Sequence, residues 1–413
     1  MIRARVAAAL CSCALAGWSG ALATGGPFPP LTGELTGELA VAKLAGAPPL
    51  SWKVVFKEGG HAGERLADLV VEAPGLMLRG EARMQTLSTG SWRFDEARIE
   101  VASWLPIVAR ALNLDLPGLE AEGEFVLSGA GEVRAGEPSG RVQLEWRDGA
   151  LRDSTQGWAI EGIGLRGTLG RIPSIASDGP LTLGFREATG FGLTTRNGMV
   201  EFSIDADGTV RIARATSEFM EGRVELAPFE FKPGQPETSA EVRFDGVEVG
   251  QLAGLLPPVL TSAEGRVSGR MTLGWSAAGG LQPGNGRLQI DPGQAASLRL
   301  SAAPGFLTSR VPRRLSLLPD WLGPLARAFS PENPVYETLR AIEMGEMRLE
   351  VNSLDIGLLP EGDPAGRTAR VVVTARPARA DVVDSVRFEV NVFGPLVEVL
   401  RLGLEGRVDV HAR

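Results

Sequence analysis

The stretch EVRFDGVEVGQLAGLLPPVLTSAEGRVSGRMTLGW, Glu241–Trp275, decides the reading of this chain. Val242 and Phe244 alternate with polar residues, the period-two pattern of a strand with one apolar face. A short apolar helix is predicted at Gly250–Leu260, ended by Pro257-Pro258. Ala263-Glu264-Gly265 forms a turn, and the alternation resumes through Val267, Met271, Leu273 and Trp275. The same succession stands upstream as ARIEVASWLPIVARALN followed by AEGEFVLSG at Ala121–Gly129. A weaker copy closes the chain as VRFEVNVFGPLVEVLRLG, then LEGRV at Leu404–Val408. The two AEG triplets lie 142 positions apart, and Glu264–Val267 and Glu405–Val408 lie 141 apart. A period of that length marks a repeated structural unit, and stacked repeats extend in one dimension.

Strands fill the space between these joints. One phase holds Leu76, Leu78, Ala82 and Met84, and another Val142, Leu144 and Trp146. Leu288 and Ile290, Met347 to Val351, and Val386 to Val392 continue the pattern toward the end of the chain. Asp148-Gly149, Asp178-Gly179, Asn197-Gly198, Asp207-Gly208, Asp245-Gly246 and Asn285-Gly286 predict tight hairpin turns, because such pairs accept positive φ. Strands joined this closely form an antiparallel meander. Helices are further expected at Ser103–Asn113 with Ser103 as N-cap, at Asp320–Phe329, and at Asn333–Met344, where Asn333-Pro334 is a start signal. Each short helix plugs the open end of a sheet.

Residues 1–23 read as a signal peptide: Arg3 and Arg5, an apolar run Val6–Leu15, and Ala21-Leu22-Ala23 as a cleavage site. The other outcome is an uncleaved N-terminal anchor. Residues 24–50 are a Gly/Pro-rich linker and first strand, and residues 51–413 the repeated sheet, with strand–helix–turn joints near 97–129, 241–275 and 386–410. Both cysteines, Cys11 and Cys13, lie in the leader, so the remaining chain has no thiol chemistry and no Cys-ligated metal. Lys and Arg number 42 against 50 Asp and Glu, a net charge of −8 that falls to −10 without Arg3 and Arg5. That balance argues against nucleic acid as a partner. With a single tyrosine, two distant histidines and no GxSxG motif, no catalytic constellation emerges. Gly162-Ile163-Gly164-Leu165-Arg166-Gly167 has dinucleotide-binding spacing, but it alternates like a strand and no helix follows it. Asp205-Ala206-Asp207-Gly208 reads as a hairpin turn, since no Glu closes a calcium loop.

So many one-sided strands must bury an apolar face. A barrel or a sandwich buries it internally; a long curled sheet leaves an open trough that something else must cover. GMVEFSIDADGTVRI, ATSEFMEGRVELAPFEF, VEVGQLAGLLP and AEGRVSGRMTLGW leading into NGRLQI resemble the YdbH-like intermembrane phospholipid transport family. NPVYETLRAIEMGEMRLEVNS and RFEVNVFGPLVEVLRLGL resemble its later helix and closing strand. The resemblance implies an AsmA-like, TamB-like architecture, mostly β, in which an elongated antiparallel sheet curls into an apolar groove. It implies a non-enzymatic periplasmic protein of a Gram-negative envelope, attached to the inner membrane if its leader is kept, that carries phospholipid between the inner and outer membranes.

The expected groove residues are Val242, Phe244, Val267, Met271, Leu273, Leu288 and Ile290, with no catalytic residue, metal or cofactor. The expected partners are phospholipid acyl chains and, at a sheet edge, a small outer-membrane lipoprotein or other envelope protein. The competing reading is a structural or assembly factor with a dry core that binds a protein by strand addition. An exported hydrolase with paired carboxylates is the third.

Overall fold

One-sided strands joined by short turns satisfy their backbone groups by pairing with their neighbours along the chain. The computed structural model of the protein has that form. It describes residues 32–394, apart from residues 41–46, 59–63, 87, 112–117, 136, 156, 172–175, 191–192, 234, 236, 254–259, 277–279, 317–329, 361 and 380–381. Its contacts divide the chain into two units, Met1–Ser217 with Pro228–Gln235, and Glu218–Ala227 with Pro236–Arg413.

In the first unit β1 (Gly33–Leu39), β2 (Leu50–Glu58), β3 (Arg65–Ala73), β4 (Leu76–Thr86) and β5 (Thr89–Glu100) each pair antiparallel with the next. Helix α1 (Val101–Ala111) follows, and β6 (Leu119–Arg134) returns to pair with β5. β7 (Glu137–Asp153) and β8 (Trp158–Arg171) extend the meander. The short β9 (Ala176–Ser177) and then β10 (Leu181–Gly190) both pair with β8, and β11 (Leu193–Ile204) pairs with β10. β12 (Val210–Phe219) precedes β13 (Gly222–Leu226), which belongs to the second unit, and pairs at its start with β14 (Phe229–Phe231).

In the second unit β13 pairs with β15 (Glu237–Glu248), which leads into the short helix α2 (Val249–Ala253). β16 (Leu260–Glu264) and β17 (Arg266–Ser276) are one run of chain broken at Gly265. β17 lies between β15 and β18 (Gly280–Ile290), while β16 pairs with β19 (Ser297–Leu300). Helix α3 (Pro334–Glu343) comes next. β20 (Leu349–Leu358) then pairs with β19 at one end and β18 at the other, and β21 (Arg367–Pro377) and β22 (Val386–Phe393) complete the order. The architecture is mostly β: antiparallel sheet, not closed into a barrel, with few short helices.

The two described joints are built alike. Glu100 N–H donates to Gly75 O at 2.8 Å, and Glu248 N–H to Met220 O at 2.9 Å. Each glutamate side chain then reaches the following helix: Glu100 Oε2 accepts from Ser103 Oγ at 2.7 Å, and Glu248 Oε1 from Gly250 N–H at 3.5 Å and also from Gly265 N–H beyond the helix at 3.3 Å. The glycines of both AEG triplets have positive φ, +99° at Gly123, which makes a bulge inside β6 and not the expected turn, and +131° at Gly265, between β16 and β17. A Cβ would lie 2.5 Å from Arg147 O at the first and 2.6 Å from Ala296 Cβ at the second, so both positions require glycine. The helices cover core on the sheet. Val101 and Trp104 of α1 pack with Ala121, Trp146 and Ile163 and with Leu50 and Leu76, and Ile342 of α3 packs with Val247, Val267, Leu349 and Val373.

Several local expectations are corrected. Only Asp178-Gly179 and Asp207-Gly208 lie in turns between strands; in the latter, Gly208 N–H donates to Asp205 O at 2.9 Å. Asp148-Gly149, Asp245-Gly246 and Asn285-Gly286 sit inside β7, β15 and β18, where the register shifts, and Asn197-Gly198 sits inside β11. Positive φ in a long paired strand makes a bulge that adds one residue and bends the strand. The tight primed turn is instead Met220-Glu221, with φ of 45° and 60° and no glycine in it. Helix α1 starts at Val101, so Ser103 is not its N-cap and Pro106 falls inside it, because the glutamate ending β5 anchors the first turn. Asn333 does cap α3, its side chain accepting from Val335 N–H at 3.1 Å. The helix expected at Asp320–Phe329 lies wholly outside the described residues, as do the leader and the end of the third joint.

Candidate functional site

Residues paired directly across antiparallel strands point to the same face, so the register alone assembles the apolar surface. In the second unit one row runs Val224, Phe244, Gly269, Leu288, Ile356, Val371 and Val390 across seven strands. The next row toward the strand ends runs Leu226, Val242, Met271, Gly286, Leu358, Ala369 and Val392. Leu273 lies one step beyond, facing Ala240 and Pro283. On the other side Val247 faces Val267, and Val267 faces Ile290.

All seven residues expected from the sequence, Val242, Phe244, Val267, Met271, Leu273, Leu288 and Ile290, therefore share one face. Their surroundings differ. Val267 is 0% exposed, in the core that Ile342 of α3 completes, and Phe244 and Ile290 touch the same core while staying half-buried. Val242 is buried as well, whereas Met271, Leu273 and Leu288 are half-buried and Trp275, at the end of β17, is 46% exposed. Burial thus falls off along β17 away from the helix. Phe219 and Phe244 stand with ring centroids 6.2 Å apart on this face.

The opposite face is a charge ladder. Arg243, Arg270 and Arg287 face one another in adjacent strands. Arg287 donates from Nε to Asp355 at 2.8 Å, and Arg370 from Nε to Glu389 at 2.9 Å. The hydrogen bond from each arginine is the first cause that holds the Asp355 and Glu389 carboxyls below their ordinary range. A cavity of about 460 Å³ here is lined by Arg223, Glu225, Arg243, Asp245, Ser268 and Arg270, the mixed signs of a solvated sheet face.

The first unit carries an equivalent apolar face, on which the sequence reading placed no site residue. One row runs Val54, Leu69, Gly80, Phe94, Gly129 and Val142, and another Leu76, Ile99, Phe125, Trp146, Leu165 and Leu183. Phe125 and Trp146 have ring centroids 5.1 Å apart, and Trp146 Nε1 donates to Glu122 O at 3.1 Å. Two polar side chains also belong to this face, Arg65 and Trp92. A cation in phase with Ala67, Leu69 and Val71 was the sequence signal that marks it.

The sharper motifs resolve as backbone features. Gly162–Gly167 lies within β8, where Gly162 takes φ +65° beside a register shift. The Asp207 carboxyl is held well below its usual range, first by Lys232 Nζ at 2.9 Å and then by the Thr209 N–H and hydroxyl. No group of residues able to hold a metal ion occurs among the described residues. No helix among them is long and apolar enough to cross a membrane.

Strands with one apolar and one charged face, paired into antiparallel sheet that does not close, define a protein that presents apolar surface along its strands. The sequence model of the YdbH-like family, described as intermembrane phospholipid transport protein YdbH, matches residues 17–324, and the chain belongs to this family. The match begins well upstream of Gly198, where the similar segments start, and those at 333–353 and 387–404 lie outside it. Compared with curated proteins, the chain matches none. The family is one of lipid transport, and intermembrane transport implies a location in the cell envelope.

Proposed function

We propose that this chain is a non-enzymatic periplasmic lipid-transfer protein that contributes to phospholipid transport between the inner and outer membranes. Acyl chains lie along the apolar face while the charged face meets water. The observation that carries this reading is the falling burial along β17, from Val267 under α3 to half-buried Met271 and Leu273. A dry core closes over such side chains; a lipid surface leaves them reachable. Each methylene moved from water onto this face contributes about 0.8 kcal/mol, so a few carbons of one chain hold a lipid without any directional contact. Phe244, Met271, Leu273, Leu288 and Ile290 form the wall, and the buried Val242 and Val267 form its floor. Native mass spectrometry with lipid extraction tests this on chain purified from a periplasmic fraction. Copurifying phospholipid is expected; a stable chain that is lipid-free and takes up none from vesicles overturns it.

A further inference from the structure

Arg310, Arg313 and Arg314 stand close together on the stretch that joins β19 to α3. All three are exposed, and none has a carboxylate or other side-chain partner among the described residues. Other arginines of this unit are paired: Arg348 meets Glu264 at 2.6 Å, and Arg376 meets Glu350 at 3.0 Å. Residues 301–316 contain no Asp or Glu. Glu332 pairs its backbone with that of Arg314 but makes no ion pair with it. In a chain of net charge −8 this is a concentration of unmatched positive charge. Two exposed apolar side chains flank it, Phe306 at 40% and Leu315 at 37%.

Buried polar groups at the two ends of α3 hold this stretch in place. Glu343, 3% exposed, accepts from Leu307 N–H at 2.8 Å and Thr308 N–H at 3.1 Å, and its carbonyl accepts from Ala303 N–H at 2.8 Å. Asn333, 5% exposed, donates from Nδ2 to Pro312 O at 2.9 Å and from its backbone N–H to Arg313 O at 3.0 Å. Between these anchors Phe306 N–H donates to Ala303 O at 3.1 Å, and Val311 N–H to Thr308 O at 3.0 Å. Leu307 packs on the core that contains Ile342 and Val267, while Phe306 beside it stays outside. Backbone groups satisfied inward in this way leave the loop to present its cations and apolar side chains from a fixed frame. Guanidiniums without acids, beside exposed aromatic and aliphatic side chains, have the composition of a membrane-surface element. There the apolar groups enter the interface and the cations meet lipid phosphates.

We propose that Phe306 and the Arg310–Leu315 loop dock this chain on the surface of an anionic phospholipid bilayer. The choice of a membrane as partner rests on the lipid-transfer reading, since a chain that exchanges phospholipid must meet a bilayer. Through Leu307 the loop sits on the core beneath α3, so docking there brings the α3 end of the apolar face to the membrane. A guanidinium suits this role because it presents several donors in one plane to a phosphate and keeps its charge at every physiological pH.

The test is flotation of the full chain with vesicles of phosphatidylcholine alone and of phosphatidylcholine mixed with phosphatidylglycerol. Wild type is expected to float with the mixed vesicles only, and to be released by high salt. Each arginine at such a surface contributes about five-fold, the equivalent of about 1 kcal/mol, so Arg310→Gln, Arg313→Gln and Arg314→Gln together weaken binding about a hundred-fold. The three corresponding lysine substitutions keep most of it, and Phe306→Ser with Leu315→Ser weakens it at any salt. The melting temperature of the triple glutamine variant stays level, because the side chains removed are exposed and unpaired; a fall would mark a structural role and overturn the assignment. Equal binding to both vesicles, binding to neither, or binding that survives the triple glutamine variant also overturns it. Capture of an envelope protein and no lipid by a photo-crosslinker at Ser309 overturns it in favour of a protein interface. Copurifying lipid is measured on the same samples and is expected to stay at the wild-type level in every variant. A chain that docks without holding lipid therefore overturns the groove reading and leaves the docking surface standing.

Discussion

Met271→Glu separates a lipid-bearing face from a dry core. Met271 is half-buried on β17, with Val242 on one side and Gly286 on the other. Gly286 packs directly against the Met271 backbone, and the half-buried side chain beyond it can give way to a carboxylate that turns toward water. The expected loss of stability is therefore modest, about 1 kcal/mol, the centre of the range for point substitutions. The effect on lipid is larger. A carboxylate kept wet at this point prevents an acyl chain from lying across it, and about four methylenes lose their contact. At about 0.8 kcal/mol each that is about 3 kcal/mol, or over a hundred-fold in affinity. Val267→Glu is the internal contrast. Val267 is 0% exposed beneath Ile342, so a carboxylate there is buried without a partner and unfolds the unit. The assay is lipid extracted per mole of chain, read beside thermal melting by circular dichroism. A folded Met271→Glu chain with normal lipid content refutes the reasoning, and a Met271→Glu chain that unfolds like Val267→Glu would show that the face is a closed core.

Further outcomes concern the plug on the second unit. Ile342→Ala removes a side chain that is 0% exposed and is expected to lower stability by about 3 kcal/mol in urea unfolding. Glu343, 3% exposed, accepts from Leu307 N–H at 2.8 Å, Thr308 N–H at 3.1 Å and Thr308 Oγ1 at 2.7 Å. Burial raises its pKa, but these hydrogen bonds outweigh burial and leave the carboxyl below its ordinary value. Its stabilisation is thus complete above the unfolded-state pKa, about 4.3, and is lost as pH falls through the lower folded value. Glu343→Gln turns one acceptor into a donor opposite N–H groups, so it is expected to cost about 2 kcal/mol at neutral pH and to flatten the acid limb of the stability curve. An unchanged acid limb would exclude Glu343 from that role.

The resemblance to a lipid-transport family and the phase of the site residues were both legible before any coordinate. Period two assigns every apolar side chain of a strand to one face, and Val242, Phe244, Val267, Met271, Leu273, Leu288 and Ile290 all share the face expected of them. The Asp-Gly and Asn-Gly pairs were not legible in the same way. Positive φ serves a hairpin turn and a mid-strand bulge equally well, and only the partner strand decides between them. Met220-Glu221 makes a primed turn without any residue that favours one, because the register on either side imposes it.

By itself, then, the sequence determined the strands, their one-sidedness, the glycines at the two AEG joints and the family. These depend on local periodicity and on backbone angles that few residues tolerate. The tertiary structure alone decided how deeply each residue of the face lies, because burial comes from elements far away in the chain. Val267 and Met271 have the same phase on the same strand, and it is Ile342, 75 positions beyond Val267, that buries the one and leaves the other half-buried.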